Sequence, residues 1–287
     1  MKAPGAALAT TAAVVSTTLG GAAAVVTRYL SSSMEPVAIA GWRYAIALVL
    51  VALLAVDRGR WRVSNERLWP IIALGVVYFG VYPYLFAAGL AKTTAGRGAL
   101  LLSTMPLMTL LLGGVFKIEA ITPRRLIGVV IAILGVALAV ADDVATDEAT
   151  TTGDWLMLAA ALVGAICQLA LKKPLESHGT LPVTLWTMVG GVTALEAAGA
   201  FSAGVPTLDV AGWSALVFLA VFCGAFGLLL WGWAIRHTSP TRAAVCVTVN
   251  PIVALLLAWP MLGEPITAQV AVGTLLVIAG IVVAAKP

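Results

Sequence analysis

The residues of this chain that could carry out catalysis do not form a recognisable catalytic or metal-binding motif. The two histidines, His178 and His237, are predicted to lie in loops and lack the spacing of metal ligands. The sequence contains no CxxC pair, HExxH helix, phosphate-binding loop or G-x-S-x-G motif. Its three cysteines, Cys167, Cys223 and Cys246, lie in apolar stretches, which favours small buried side chains over disulfides. We therefore expect no enzyme activity, metal or cofactor.

Two prolines in the middle of apolar stretches indicate binding chemistry instead. Pro106 and Pro251 each remove a helix hydrogen bond, and backbone groups freed in hydrocarbon must be satisfied by protein or water. Such broken backbone tends to line a cavity, and a simple packing kink is the alternative. The polar neighbours of the prolines are candidate substrate contacts, with Asn250 the most costly to bury: Ser103, Thr104, Thr248 and Asn250.

Aromatic side chains form a second set of candidates for the same pocket. Tyr78 and Tyr82 are four residues apart, which places both rings on one face of a helix. Buried hydroxyls need hydrogen-bond partners, so the pair is either the wall of a wet cavity or a contact between helices. Trp42, Trp186 and Gln168 also lie inside apolar stretches and are candidate substrate contacts, with membrane anchoring or interhelical hydrogen bonding as the alternative.

Two charged residues are predicted to lie within the membrane. Arg43 and Glu196 each lie about 10 Å from the outer end of an apolar stretch, at 1.5 Å per helical residue. Their matched depth on corresponding stretches suggests an ion pair or a shared outer gate. The alternatives are that each side chain reaches the outer interface or faces an outer vestibule separately.

The composition indicates that membrane-spanning helices position these residues. The chain is 61% hydrophobic and only 10% charged, with a mean hydropathy of +1.03, whereas soluble domains carry about 25% charged residues. A membrane span needs about 20 apolar residues. The sequence predicts ten spans in an all-α integral membrane protein, at roughly 7–27, 36–56, 69–91, 96–116, 125–141, 154–172, 182–202, 211–235, 240–260 and 266–285.

The second half of the chain repeats the first at an offset of 145 residues. Residues 97–140 align without a gap to residues 242–285, and 13 of the 44 positions are identical. The matches include Arg97/Arg242, Pro106/Pro251, Glu119/Glu264, Gly128/Gly273 and Gly135/Gly280. The sequence thus predicts two five-helix repeats, residues 1–141 and 154–287, joined by an acidic external linker at 142–153. Five helices are an odd number, so the second repeat is predicted to be inverted.

The distribution of basic residues predicts the orientation. With the N-terminus inside, 13 of the 17 lysines and arginines fall on the cytoplasmic side. The acidic linker then lies outside, and both termini are cytoplasmic in a bacterial inner membrane. The excess of basic residues is explained by their role in setting the membrane topology, so no nucleic-acid partner is expected. The predicted partners are the bilayer and a small-molecule substrate. One copy is sufficient for a transport path, and an oligomer is not excluded.

The repeated segments resemble a known family. Four features resemble the EamA domain: the pattern A-x-x-T/S-x-x-R-x-A, the mid-helix proline, the Glu of K-I-E-A-I-T and L-G-E-P-I-T, and the Gly-x6-Gly helix. The resemblance covers essentially the whole chain and implies a ten-helix member of the drug/metabolite transporter superfamily. It further implies export of small metabolites by alternating access. The aromatic third span points to YddG-like exporters of aromatic amino acids, and efflux of drugs or cationic compounds is the alternative.

The first span does not decide whether transport is coupled to protons. Residues 7–27 contain no ionisable side chain, whereas the small multidrug-resistance branch of this superfamily uses a carboxylate in its first helix. Glu196 is then the one carboxylate expected within the membrane. Glu119 and Glu264 are expected to cap the helices that follow them. Movement down the substrate gradient is therefore a serious alternative to proton exchange.

Overall fold

The computed structural model describes residues 6–116, 122–140, 148–237 and 246–285. Within these ranges the chain is helical and contains no strand. Helices are expected of so apolar a chain, because hydrocarbon offers no partner to a backbone N–H or C=O group. The predicted all-α class is therefore confirmed.

The first half supplies five helical elements, two of which are interrupted. In chain order they are α1 (Ala6–Leu30), α2 (Pro36–Asp57), α3 (Asn65–Gly75, π-helical Val76–Val81 and Tyr82–Leu90), α4 (Ala95–Leu102 and Met105–Val115) and α5 (Pro123–Val140).

The second half has a similar order of elements. They are α6 (Glu148–His178), α7 (Thr180–Ala197), α8 (Val210–Phe218, π-helical Leu219–Phe226 and Gly227–His237), α9 (Val249–Leu262) and α10 (Ala268–Ala285). α6 begins six residues before the predicted span and includes 148–153, which were predicted to be linker. His178 and His237 are the last residues of helices, whereas loops were predicted for both.

Six of these helices are long and apolar enough to cross a membrane: Ala7–Leu30, Pro36–Asp57, Glu66–Leu90, Ala95–Val115, Glu148–His178 and Val210–Ala234. Three shorter apolar helices accompany them: Leu126–Ala139, Val249–Leu262 and Ala268–Ala284. The protein is therefore a multi-span membrane protein. The predicted residues 142–147 of the linker and 240–245 of the ninth span lie outside the described residues.

Helices α5 and α10 pack antiparallel through pairs of glycines. A Cβ atom added to Gly128 would lie 2.5 Å from the carbonyl oxygen of Gly280, and one added to Gly135 would lie 2.7 Å from that of Gly273. Cβ atoms do not approach backbone that closely, so glycine is needed for this contact. In the sequence repeat, Gly128 corresponds to Gly273 and Gly135 to Gly280. Exchanging the two halves of the chain therefore turns each of these contacts into the other.

Glu264 caps a helix of the other half of the chain. Its Oε2 accepts a hydrogen bond of 2.8 Å from the backbone N–H of Ala95, at the start of α4. The prediction that Glu264 caps the helix following it is therefore wrong; at α10 it is the Thr267 hydroxyl that accepts a bond from the N–H of Val270. Glu119 lies outside the described residues.

Candidate functional site

Irregular helical backbone surrounds the centre of the bundle. The first segment of α4 ends at Leu102, and the second begins at Met105, so the chain turns at Ser103 and Thr104 directly before Pro106. α3 and α8 each contain a π-helical segment. Such segments are rare and are frequently found at functional sites, because they displace side chains from the regular helical faces. The predicted break at Pro106 is thus present.

These irregular segments line a central cavity of about 160 Å³. A cavity of about 150 Å³ is large enough to bind benzene, so a single aromatic ring fits this one. The wall contains residues from both halves of the chain: Ser16, Thr17, Gly20, Ala23, Arg43, Tyr44, Tyr78, Tyr82, Pro83, Phe86, Leu102, Ser103, Met105, Pro106, Gln168, Cys223, Gly227, Leu228, Trp231, Val247 and Asn250.

One wall of the cavity is an aromatic column on α3. The rings of Tyr78 and Tyr82 stack with centroids 5.9 Å apart and an angle of 18° between planes. Tyr82 continues the stack to Phe86, with centroids 6.4 Å apart. The prediction that the two tyrosines share a face is confirmed. The column offers an extended flat surface to a planar apolar group.

Polar groups from three other helices face the same space. Asn250 packs against α1, and its Oδ1 is buried without a hydrogen-bond partner among the described residues. Gln168 on α6 donates from Nε2 to the sulfur of Met105 at 3.1 Å, a weak acceptor. Ser103 on α4 donates to the carbonyl oxygen of Ala99. The site therefore holds hydrogen-bonding capacity that the protein itself does not fully use.

Arg43 is part of the cavity wall. The residue is 8% exposed, and its Nε has no hydrogen-bond partner in the described part of the chain. Its guanidinium lies over the ring of Tyr44, 4.9 Å from the centroid, where a cation is attracted by the aromatic face. Glu196, the predicted partner, is exposed in the last turn of α7. The structure therefore does not bring Arg43 and Glu196 together as an ion pair.

Four other predicted contacts do not reach the cavity. Trp42 packs edge-on against Phe201 and Trp213, with centroid distances of 5.4 and 6.4 Å. Trp186 donates from its indole to the carbonyl oxygen of Trp61 at 2.8 Å. Both indoles are thereby committed to packing or anchoring. The remaining two, Thr248 and Pro251, are buried beside the cavity-lining Asn250 without lining the cavity themselves.

A buried ion pair lies at one end of the bundle, and the sequence did not predict it. Arg97 of α4 donates from Nε to both carboxylate oxygens of Asp154 on α6, at 3.1 and 2.8 Å. Nη2 of Arg97 also donates to Asp154, and the Thr93 hydroxyl adds a fourth hydrogen bond to this carboxylate at 2.8 Å. Asp154 was predicted to begin the sixth span, and its position inside α6 as a second carboxylate corrects the expectation that Glu196 is the one carboxylate within the membrane. The one available signal was the repetition of Arg97 as Arg242.

The same end carries a second polar cluster around Arg28. Its Nη1 donates to the carbonyl oxygens of Leu90 and Ala91 at 3.0 and 2.8 Å. Its Nε lies 3.5 Å from Oε1 of Glu264, which also caps α4. The first helix, the end of α3, the start of α4 and the loop before α10 are thus tied together at this end.

A larger depression of about 260 Å³ lies at the opposite end, against α3 and α6. It is lined by residues of these two helices only, Arg67 and His178 among them. It contains none of the buried unpartnered polar atoms of the described chain. The central cavity, which has two such atoms and contacts from both halves, is therefore the candidate site.

Comparison with known proteins identifies the family. The model of the EamA-like transporter family matches the chain twice, at residues 7–141 and 151–285. The chain belongs to the EamA-like transporter family. This membership confirms the resemblance predicted from the repeated motifs. It indicates a transporter and not an enzyme.

Several relatives of this EamA-like chain are named as exporters. A probable terminal-alkyne amino-acid exporter of Streptantibioticus cattleyicolor is 33% identical over 83% of this chain and 80% of its own length. A probable amino-acid metabolite efflux pump of Salmonella typhimurium is 26% identical over 86% of this chain and 85% of its own. A solved crystal structure with 16% identity superposes with a TM-score of 0.72, covering 98% of this chain and 97% of its own. That likeness concerns the fold alone.

Proposed function

We propose that this protein exports small amphipathic metabolites across the bacterial inner membrane, with amino acids as substrates and aromatic ones preferred. The observation that carries the proposal is the central cavity, which combines the stacked rings of Tyr78 and Tyr82 with the unpartnered oxygen of Asn250. Pockets for small molecules have this composition: apolar and aromatic walls with a few polar groups. The exporter names of two relatives favour the same substrate class.

Alternating access is the proposed mechanism. The α5–α10 glycine contacts are what an inverted repeat would produce, because exchanging the halves reproduces them. Inverted repeats place the substrate at the interface between the halves and let one half move against the other around a fixed site. The ten-span arrangement, two repeats at 1–141 and 154–287, cytoplasmic termini and a monomeric path belong to this proposal. In it, the clusters of Arg97 and Arg28 form the outer closure.

The alternative, efflux of cationic compounds, is not supported by the cavity. An organic cation would need an acidic partner in a low-dielectric site. The described cavity wall contains no carboxylate, and its one charged side chain is Arg43. A cationic substrate would therefore meet a like charge.

Counterflow in proteoliposomes tests the proposal. The purified protein is reconstituted, loaded with unlabelled substrate and offered a panel of labelled amino acids, with and without an imposed proton gradient. We expect accumulation of phenylalanine, tyrosine and tryptophan above that of alanine or lysine. Absence of counterflow with every amino acid would overturn the proposed substrate class, and dependence on the gradient would reveal proton coupling.

A further inference from the structure

We infer that Arg43 is the anchor for a carboxylate group of the substrate. The inference rests on the proposed function and narrows its substrate class to carboxylates that carry an apolar or aromatic group. In the described structure Arg43 is one of the residues that line the central cavity, and its Nε is buried without a hydrogen-bond partner. It therefore has the position and the unused hydrogen-bonding capacity that an anion requires.

The cost of burying this cation is the first argument. Arg43 is 8% exposed, and an unpaired buried charge costs several kcal/mol in free energy. The contact with the nearby Tyr44 ring offsets only a part of this free-energy cost, since a cation–π contact is worth about 0.5–2 kcal/mol. Among the described residues no carboxylate forms an ion pair with Arg43. A charge kept at this cost within a membrane is expected to act on a ligand.

The corresponding position in the second half of the chain carries an apolar side chain. Extended from residues 97–140 to α2, the offset of 145 residues places Arg43 against Met188 of α7. Met188 is fully buried in an apolar cluster. The equivalent helix therefore packs with apolar side chains at this level, and Arg43 is a feature of one half alone.

The chemistry of the guanidinium selects the ligand. Arginine presents N–H donors in a planar fork that matches the two oxygens of a carboxylate. Asn250 also departs from the repeat, which has Met105 at the equivalent position, and its unpartnered Oδ1 can accept a hydrogen bond from an ammonium group. With Tyr78 and Tyr82 beside them, the cavity offers one contact for each part of an aromatic amino acid.

Competition experiments on the wild-type protein test the inference first. Labelled phenylalanine is the counterflow substrate, and the competitors are 3-phenylpropionate, phenylalaninamide and phenethylamine. We expect 3-phenylpropionate to compete and both compounds without a carboxylate to be weaker by about tenfold or more, as loss of a charge-assisted hydrogen bond implies. Equal competition by phenylalaninamide would overturn the carboxylate anchor and leave amino-acid export standing.

Variants of Arg43 provide the second arm. Arg43→Met introduces the methionine that α7 has at the corresponding position. Arg43→Lys keeps the positive charge but lacks the planar set of N–H donors of a guanidinium. Binding of 3-phenylpropionate to protein in nanodiscs is measured by the shift of the unfolding temperature. We expect the shift in the wild type, a reduced shift in Arg43→Lys and none in Arg43→Met. An undiminished shift in Arg43→Met would overturn the inference.

The two arms distinguish failure of the inference from failure of the proposed function. Should the wild type bind 3-phenylpropionate through Arg43 but transport no amino acid, the proposed function is wrong and the anchor stands. If the wild type binds none of the carboxylates, both are wrong. Should Arg43→Met not fold, the ligand series on the wild type decides alone.

Discussion

At the residue scale, the cavity assigns different contacts to different helices. α3 supplies the stacked rings of Tyr78 and Tyr82, α2 supplies the buried Arg43, and α9 supplies the unpartnered oxygen of Asn250. Ring contacts contribute affinity for planar groups with little directionality. In the proposed site, the charge and the amide oxygen would orient the polar part of a substrate. Ring and polar contacts can therefore be tested separately by substitution.

Replacement of Tyr78 or Tyr82 by alanine should weaken aromatic substrates in particular. Aromatic pairs are worth about 0.5–1.5 kcal/mol beyond burial, which corresponds to roughly two- to tenfold in affinity. Apparent KM values for phenylalanine and leucine in counterflow measure the effect. Tyr→Phe at each site separates ring from hydroxyl, and Tyr84→Ala, on the same helix but exposed, is the control. Unchanged KM values in both alanine variants would make these residues interhelical contacts only.

At the scale of helices, interruptions of regular backbone surround the site. The turn at Ser103 and Thr104 and the π-helical segments Val76–Val81 and Leu219–Phe226 all lie beside the cavity. Broken or expanded turns have weaker local hydrogen bonding than regular helix, so they can change conformation at lower cost. These segments are where we expect the helices to bend during transport.

Straightening the helices at the prolines should impair transport more than expression. Alanine at Pro106 or Pro251 restores a backbone donor and favours continuous helix, which shifts the balance between outward-open and inward-open states. Counterflow rates normalised to the amount of reconstituted protein measure the effect. Pro260→Ala, in α9 but exposed and outside the cavity, is the matched control. Wild-type rates in both variants would reduce the two prolines to packing features.

Glu264 should make the stability of the α4 cap depend on pH. Burial raises the pKa of the Glu264 carboxyl above its ordinary value of 4.5, and the Ala95 N–H and the Arg28 charge oppose this only in part. The folded state thus binds this proton more tightly than the unfolded chain. The contribution of Glu264 to stability is therefore complete below pH 4.5 and decreases as the pH rises through the raised pKa.

Unfolding temperatures of the wild type and of Glu264→Gln in detergent, from about pH 4 to 7, measure this dependence. We expect the advantage of the wild type over the variant to shrink as the pH rises. Glu66→Gln, at an exposed position in the first turn of α3, is the control. A difference that stays constant, or grows, with pH would contradict the raised pKa.

At the scale of the whole molecule, contacts divide the bundle into two chemically different ends. The Arg28 and Arg97 clusters join α1, α3, α4 and α6 at one end. At the other end, the Ser64 hydroxyl lies 3.5 Å from Nε2 of His178, and the Trp186 indole donates to the carbonyl oxygen of Trp61; both contacts are exposed. The proposed orientation places the first end outside, which makes the Arg28 and Arg97 clusters the proposed outer closure.

Labelling of single cysteines tests this orientation. In a background lacking Cys167, Cys223 and Cys246, cysteines at Lys286 and at Arg60 should react only from the cytoplasmic side, and one at Asp147 only from outside. Impermeant maleimide applied to intact cells and to inverted vesicles provides the measurement. Labelling of position 147 from the cytoplasmic side alone would overturn the topology.

The sequence alone determined the class of the protein and its family. An apolar chain with so few charges must form helices in lipid, because backbone groups find no other partners there. The repeated Arg, Pro, Glu and Gly positions identified the EamA-like family, and the spacing of Tyr78 and Tyr82 was sufficient to place their rings on one face. These properties depend on composition or on contacts between neighbours along one helix, and the periodicity of the sequence is sufficient to predict such contacts.

Tertiary structure decided which of the candidate residues meet. Arg43 was predicted to form an ion pair or outer gate with Glu196, or to face the outer side separately, and it lies in the cavity wall. Glu264 was expected to cap the helix that follows it, and it caps α4. Asp154 was predicted to begin the sixth span, with no partner assigned, and is buried against Arg97. Each of these positions depends on a partner at least 57 residues distant along the chain or on the rotation of a helix in the bundle. Helical periodicity carries no information on such contacts, because it relates a residue only to its own helix.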